Sequence, residues 1–395
     1  MKYVLTTCPY CAVGCNFYLH VEGGIVTGLS PSLNHPVNEG GLCVKGWHAY
    51  QSIHHPDRLK KPLLKKEGKF EEISWEEALS IAATRFKRIK EEYGPDSLAL
   101  IGSARCTNEE NFLMQKFARV VFNTNNVDHC ARICHGPTVV GLRKAFGSGA
   151  MTNPIADIEK ARFLLVVGSN TTVAHPLIAR RIVRALRNGT KMAVVDPVKT
   201  GIANLAHYHL PLMPGSDIPL FLGIAKVILE RGLENREFIE KHTEGFEEFE
   251  RELKKLSLEE VEKITGISLS LLEEVAIEYA SSSASSIIYC LGITEHVTGT
   301  ENVMSLANLA LLTGHIGREG TGVNPLRGQN NVQGASDLGV LADSLPGYKD
   351  PMNPDDRKNF EEKWGVSLPR TPGLAIPEFP EAILEERIRG SYIIG

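Results

Sequence analysis

The 395 residues predict an α/β protein, and three observations carry that prediction. Between about residues 98 and 312, short apolar runs alternate with amphipathic stretches of helical length. Such alternation belongs to a parallel sheet with helices on both faces. The first 60 residues stand apart as a segment rich in Gly, Cys and His. At ~150 residues per domain the length corresponds to two or three domains. A chain this long buries several cores without needing disulfides or metals to hold it together.

The elements follow in order. Residues 21–26 read as a hairpin turning at Gly23-Gly24. Ser74-Trp75-Glu76-Glu77 has the pattern of a capping box, opening an amphipathic helix to about Tyr93, where Gly94-Pro95 stops it. A strand is expected at 98–101 and a helix near 108–122. The continuous apolar runs 163–167 and 192–195 are expected as strands buried on both faces. Between them lies a helix over 176–188 closed by Gly189. Helices follow at about 218–231, 258–264 and 269–281, then a strand at 286–291 and a helix at 301–312 ended by Gly314. Residues 320–331 are rich in Gly, Asn and Pro and show no periodicity. Their amides and single arginine are not a solvating mixture, so a functional loop is expected. Residues 350–380 read as a surface excursion, and 391–395 as part of a buried strand. A chain that stops there is expected to be a fragment, or to continue as a separate polypeptide.

Hydrophobic residues make up 43 % and charged residues 23 % of the chain, ordinary for a globular protein. No apolar run reaches the ~18 residues of a spanning helix, so no membrane insertion is expected. The N-terminus runs directly into Cys8 without an export signal, and a cytoplasmic location is expected. A net charge of −4 excludes a dominant basic face for nucleic acid.

Eight cysteines in such a chain read first as metal ligands or catalytic thiols. Cys8-x2-Cys11-x3-Cys15-x27-Cys43 puts three thiols in one loop and brings a fourth from beyond a hairpin. This three-plus-one spacing suits a [4Fe-4S] cluster. Closed zinc sites also use four cysteines, but usually as two separated pairs. Lys45, two residues beyond Cys43, is an ordinary surface lysine unless something anionic lies beside the cluster. A second constellation runs from Asp128 to Pro137 and pairs Cys130 with His129 and Cys134 with His135. Free cysteines are often merely small buried residues. Here Gly136-Pro137 marks a loop-to-helix transition, and a helix N-terminus lowers a thiol's pKa. Spacing leaves both Cys130 and Cys134 open. A third runs from the apolar segment 163–167 through Gly168-Ser169-Asn170 to a second strand ending in Asp196-Pro197. It describes a nucleotide crevice, or else Asp196 caps a helix. The full Gly-x-Gly-x-x-Gly fingerprint is absent, so a nicotinamide cofactor is not supported.

CPYCAVGC with GLCVKG, NVDHCARICHGPTVVGL, VVDP and GVNPLRGQNNVQGASDLG together resemble the catalytic subunit of molybdenum- or tungsten-dependent formate dehydrogenases. These belong to the molybdopterin-guanine-dinucleotide oxidoreductases, and the resemblance runs over essentially the whole chain. It implies a small [4Fe-4S] domain at 1–57 and two doubly wound domains, one discontinuous over 58–130 and 331–395, the other over 131–330. It implies a bis-molybdopterin guanine dinucleotide centre with Mo or W, bound by Cys134 rather than Cys130. His135 would be the adjacent proton acceptor and Arg327 the formate-holding residue, while Lys45 would bridge cluster and pterin. Gly168, Asn170, His175, Asp196, Gly215, Asp217, Gly292, Gln329 and Gln333 fall on segments that line the dinucleotides in that family. Formate would be oxidised to carbon dioxide, its hydrogen leaving as a proton to His135 or as a hydride to a sulfur on the metal. Electrons would pass through the cluster to an iron–sulfur subunit or ferredoxin, or onward to a hydrogenase or NAD(P)-linked module. Members of the family continue for several hundred further residues. The alternatives are a related enzyme such as an assimilatory nitrate reductase, or a non-catalytic electron-transfer homologue.

Overall fold

A computed structural model describes residues 1–395. Strands β1 (Lys2–Thr7), β2 (Asn16–Glu22) and β3 (Ile25–Pro31) form an antiparallel sheet in that order. Its hairpin turns through Gly23 and Gly24, both at positive φ, where glycine carries no steric cost. Strands β4 (Leu63–Lys66) and β5 (Lys69–Glu72) make a separate hairpin. Strand β6 (Leu98–Ile101) then pairs in parallel with β7 (Val127–Asp128).

The largest sheet is wholly parallel and runs in the order β10-β9-β8-β11-β12. Its strands are β8 (Phe163–Val167), β9 (Lys191–Val195), β10 (Tyr208–Leu210), β11 (Ser285–Tyr289) and β12 (Gly322–Pro325). Alternate side chains divide the core in two. Phe163, Leu165, Val167, Ala193, Val195 and Ile287 face the helices Asp217–Glu230, Leu269–Ser281 and Gly299–Thr313. Leu164, Val166, Met192, Val194 and Ile288 face the helix Pro176–Arg187. Cys8, Cys15, Phe17 and Leu29 join that second core, so the cysteine-bearing sheet packs on the large sheet through one helix. Strand β13 (Gly390–Ile393) pairs with β6 and completes a small parallel sheet, β13-β6-β7. No helix is long and apolar enough to cross a membrane.

Several expectations need correction. Ser74 accepts from the Glu77 N–H, but the return bond of a capping box is not made there. The reciprocal pair forms instead at Thr107 and Glu110, which open the helix Asn108–Phe117. The strand expected over 286–291 ends at Tyr289, because Leu291 starts a helical turn. The aperiodic stretch 320–331 contains β12, an edge strand whose partner β11 lies over thirty residues upstream in sequence. An edge position tolerates its Pro325. The surface excursion expected over 350–380 is present, carrying a helix, Pro354–Trp364, with no buried residue. Strand β13 is an edge strand with Ser391, Tyr392 and Ile393 exposed, not buried.

Candidate active site and cluster site

Cys8 follows β1 and Cys15 precedes β2, with the Cys8 N–H donating to the Cys15 carbonyl at 2.8 Å. Cys43 caps the helical turn Val44–Trp47. These three and Cys11 line one cavity, walled by Val13, Leu42 and Leu177. No three His, Cys, Asp or Glu side chains of the chain converge closely enough for a single ion. Tetrahedral zinc draws its sulfurs to ~2.3 Å from one point. Four thiols spread around a shared cavity, with no carboxylate among them, fit a cubic cluster instead. Burial raises the Cys8 thiol and pushes Cys15 up to about 12, and the neighbouring cysteines add to both. Lys45 opposes this at Cys8, and Arg180 opposes it at Cys15.

Strand β7 delivers the second group. Cys134 ends the helical turn Ala131–Cys134, and His135 precedes the helix Gly136–Phe146. The expected loop-to-helix transition is present, with His135 at the N-cap of the helix that follows Cys134. Cys134 sits at the carboxyl end of its turn, and burial pushes it up to about 12, with Cys130, Cys290 and Glu295 adding to the rise and Arg327 opposing it. Metal coordination deprotonates such a thiol outright. His135 is fully buried, with Nδ1 3.1 Å from Thr138 Oγ1 and Nε2 without a partner. Burial, helped by the Arg327 charge, lowers its pKa to about 3, so the imidazole is neutral. Tyr289, the last residue of β11, donates to the same Thr138 hydroxyl at 3.0 Å. Thr294 donates to the Cys134 carbonyl at 2.7 Å.

Arg327 enters from just beyond β12. Its Nη2 donates to the Gly149 carbonyl at 2.9 Å, and no carboxylate pairs with it. Its charge reaches Cys134, His135 and Tyr289, so the guanidinium lies within electrostatic range of both residues of the β7 loop. His175 donates from Nε2 to the Arg327 carbonyl at 2.8 Å, leaving its buried Nδ1 without a partner. Lys45 donates to the Val173 carbonyl at 3.3 Å, and its charge reaches both His175 and Cys8. Cys134, His175 and Arg327 thus follow the carboxyl ends of β7, β8 and β12, and Lys45 reaches the β8 loop from the cysteine-bearing segment. Open α/β sheets bind their ligands in this region.

The remaining candidates divide. Gly168 and Gly292 explain each other. A Cβ on Gly168 would lie 2.7 Å from the Gly292 Cα, and one on Gly292 would lie 2.5 Å from the Gly168 Cα. Asn170 is exposed at the end of β8, and Asp196 accepts from the Val198 N–H in a local turn. Gly215 turns at φ 86°, and Asp217 is buried in the first turn of its helix, near enough to His296 to feel its charge. Gln329 accepts from the Cys130 thiol. Gln333 is exposed and bonds Asp337 and Tyr348. Val173, Val198, Met213 and Val297, which follow β8, β9, β10 and β11 in turn, are all exposed. Sequence reasoning missed Thr138, Tyr289 and Thr294. Tyr289 reads as core in its strand, and only the spacing of Thr138 three residues after His135 was a signal.

Residues 58–395 match the family model described as molybdopterin oxidoreductase, and residues 1–55 match its Fe4S4 domain. Over its full length the chain is 48 % identical to the alpha subunit of the F420-dependent formate dehydrogenase of Methanocaldococcus jannaschii, covering 57 % of that protein. It is 43 % identical to formate dehydrogenase H of Escherichia coli, covering 56 %. The chain therefore spans little over half the length of these relatives. Acetylene hydratase from Pelobacter acetylenicus superposes with a TM-score of 0.72 at 27 % identity, over 82 % of this chain and 45 % of that one. The four-cysteine cavity, the crevice at the strand ends and these matches converge: the chain belongs to the molybdopterin oxidoreductase family, with an Fe4S4 domain at its N-terminus.

Proposed function

We propose that this chain forms the cluster- and pterin-binding part of a formate dehydrogenase catalytic subunit, which oxidises formate to carbon dioxide. The same fold serves a protein named as a hydratase, so architecture alone does not choose the reaction. The observation that carries the proposal is Arg327: a largely buried guanidinium without a carboxylate partner, within electrostatic range of Cys134 and of His135 with its open Nε2. A guanidinium fork matches a carboxylate with two parallel donors, and formate offers no other handle. His135 is neutral across the physiological range. In the tautomer that donates from Nδ1 to Thr138, its Nε2 lone pair can take the proton that leaves formate.

Cys134 would hold the metal. The loops after β8, β9, β10 and β11, with Gly168, Asn170, His175, Asp196, Gly215, Asp217, Gly292, Gln329 and Gln333, would hold the pterin dinucleotides. When bound, molybdenum or tungsten on two pterins supplies the two-electron acceptor. Lys45 would lie on the route to the cluster of Cys8, Cys11, Cys15 and Cys43. We assign 1–57 to the cluster domain, 58–130 with 331–395 to a discontinuous domain, and 131–330 to the dinucleotide-binding domain. A cytoplasmic location and an iron–sulfur or F420-linked partner complete the reading, the latter following the name of the M. jannaschii relative.

The test is formate-dependent reduction of a viologen dye by natively purified, metal-loaded protein. Activity is expected, and Cys134→Ser should abolish it while leaving the cluster's absorbance intact. Full metal content with no formate-dependent reduction, but with nitrate turnover, would replace this reading by a nitrate reductase-like one.

A further inference from the structure

The helix Pro176–Arg187 closes one wall of the four-cysteine cavity through Pro176 and Leu177. Arg180 lies one turn beyond Pro176 on the same helix face. Its guanidinium rests against Gly41, where a Cβ would stand 2.2 Å from Nη1 and 3.0 Å from Cζ. Its Nη2 donates to the Asn38 carbonyl at 2.8 Å. Asn38 and Gly41 belong to the loop that delivers Cys43, so one side chain spans the helix and the ligand loop. The Arg180 Nε is buried without a partner. Neutralisation around it is incomplete. Glu39 stands 3.8 Å away and is engaged more closely by Arg181 at 3.0 Å and Arg184 at 2.7 Å. The only other acid in the group is Glu159, also held by Arg181 and Arg184. Three arginines thus face two glutamates at the edge of the cavity.

We propose that Arg180 is a positioning residue for the iron–sulfur cluster, fixing the Cys43 loop through Gly41 and raising the cluster's reduction potential with its charge. The proposal rests on the cluster occupying the four-cysteine cavity. Reduction adds an electron to an already anionic cluster, and a nearby half-buried cation stabilises that extra charge. Arg180 follows Pro176 and Leu177, which wall the cavity, and holds the loop that delivers Cys43 through Asn38 and Gly41. Arg180 touches none of the residues assigned to formate, so its effect is on electron transfer and not on substrate binding.

The experiment is a redox titration of the anaerobically purified, cluster-loaded protein followed by electron paramagnetic resonance, with iron content measured in parallel. Arg180→Gln should keep four irons per chain and shift the cluster's midpoint to more negative potential, while Arg180→Lys should shift it less. Glu39→Gln, which removes the shared countercharge, should shift it in the positive direction. An Arg180→Gln protein with full iron and an unchanged midpoint overturns the proposal. If that variant loses iron, Glu39→Gln decides: a positive shift supports the proposal, and no shift overturns it. Wild-type protein without iron would instead sink the cluster assignment itself, a result distinct from either.

Discussion

At the scale of single residues, the site works by leaving selected groups uncommitted. Two other buried or half-buried arginines are tied to acids, amides or several carbonyls. Arg119 bonds Gln115, Asn125 and three backbone carbonyls, and Arg132 bridges Asp128 and Asp343. Arg327 has one carbonyl and no acid. Charge-assisted hydrogen bonds contribute about 1.5–3 kcal/mol each. Arg327→Lys replaces a planar pair by a point charge and should raise the KM for formate by roughly ten- to a hundredfold. Steady-state kinetics on metal-loaded protein check this, and an unchanged KM would remove Arg327 from the substrate site. Thr138 orients His135, so Thr138→Val should lower kcat while leaving the KM for formate near its original value. A change confined to KM would contradict that role.

Among the elements, the decisive contact is between the ends of β8 and β11. The Gly292 N–H donates to the Gly168 carbonyl at 3.1 Å, and the two chains touch backbone to backbone. This contact sets how the loops bearing Asn170 and Cys290 diverge at the mouth of the crevice. Gly168→Ala would force a Cβ to within 2.7 Å of that backbone at φ 53°. Overpacking and a left-handed backbone together should cost about 2–4 kcal/mol. Gly189→Ala is the control, since Gly189 has φ 87° with open space around its Cβ position. It should cost only about 1 kcal/mol. Urea unfolding of the two variants separates these values. Equal losses would mean that the β8–β11 contact yields more easily than its geometry implies.

For the molecule as a whole, buried histidines make stability depend on pH. Burial pushes His129 and His315 down to about 4, with the nearby arginine charges adding to the shift. His315 donates from Nε2 to the Tyr279 carbonyl and accepts from Arg318 at Nδ1, both at 3.0 Å, so protonation removes a bond as well as burying a charge. Between pH 6.5 and about 4 the unfolded chain binds protons that the folded chain refuses. Stability is therefore full above pH 6.5 and falls as the pH drops toward 4. From pH 7.5 to pH 5 each such histidine should cost about 2 kcal/mol. His315→Gln lies far from the Arg327 crevice and should flatten the fall by about that amount in urea unfolding at the two pH values. A parallel pair of curves would show that His315 is accessible to protons in the folded state.

What the sequence determined by itself was whatever is written locally. Residues 163–167 read as a doubly buried strand, because five consecutive apolar side chains have no solvent face. Gly23-Gly24 and the helix 269–281 were legible for the same local reason. The three-plus-one cysteine spacing showed the cluster loop before any fold was known. Where long-range partners decide, local reading failed. Strand β12 has no alternation of its own and exists because β11 offers a parallel edge. Strand β13 leaves Tyr392 and Ile393 exposed whereas the edge strand β12 is buried throughout, so burial follows what packs on each face and not composition. The surroundings of Cys134 were not legible either: its burial, with Cys290 and Arg327 drawn near from distant segments, is set by the fold. Tertiary structure alone sets the carboxyl ends of two parallel sheets side by side, and so brings Arg327 to Cys134 across almost two hundred residues of chain. Through-space electrostatics and close packing depend on that juxtaposition, and no stretch of sequence contains it.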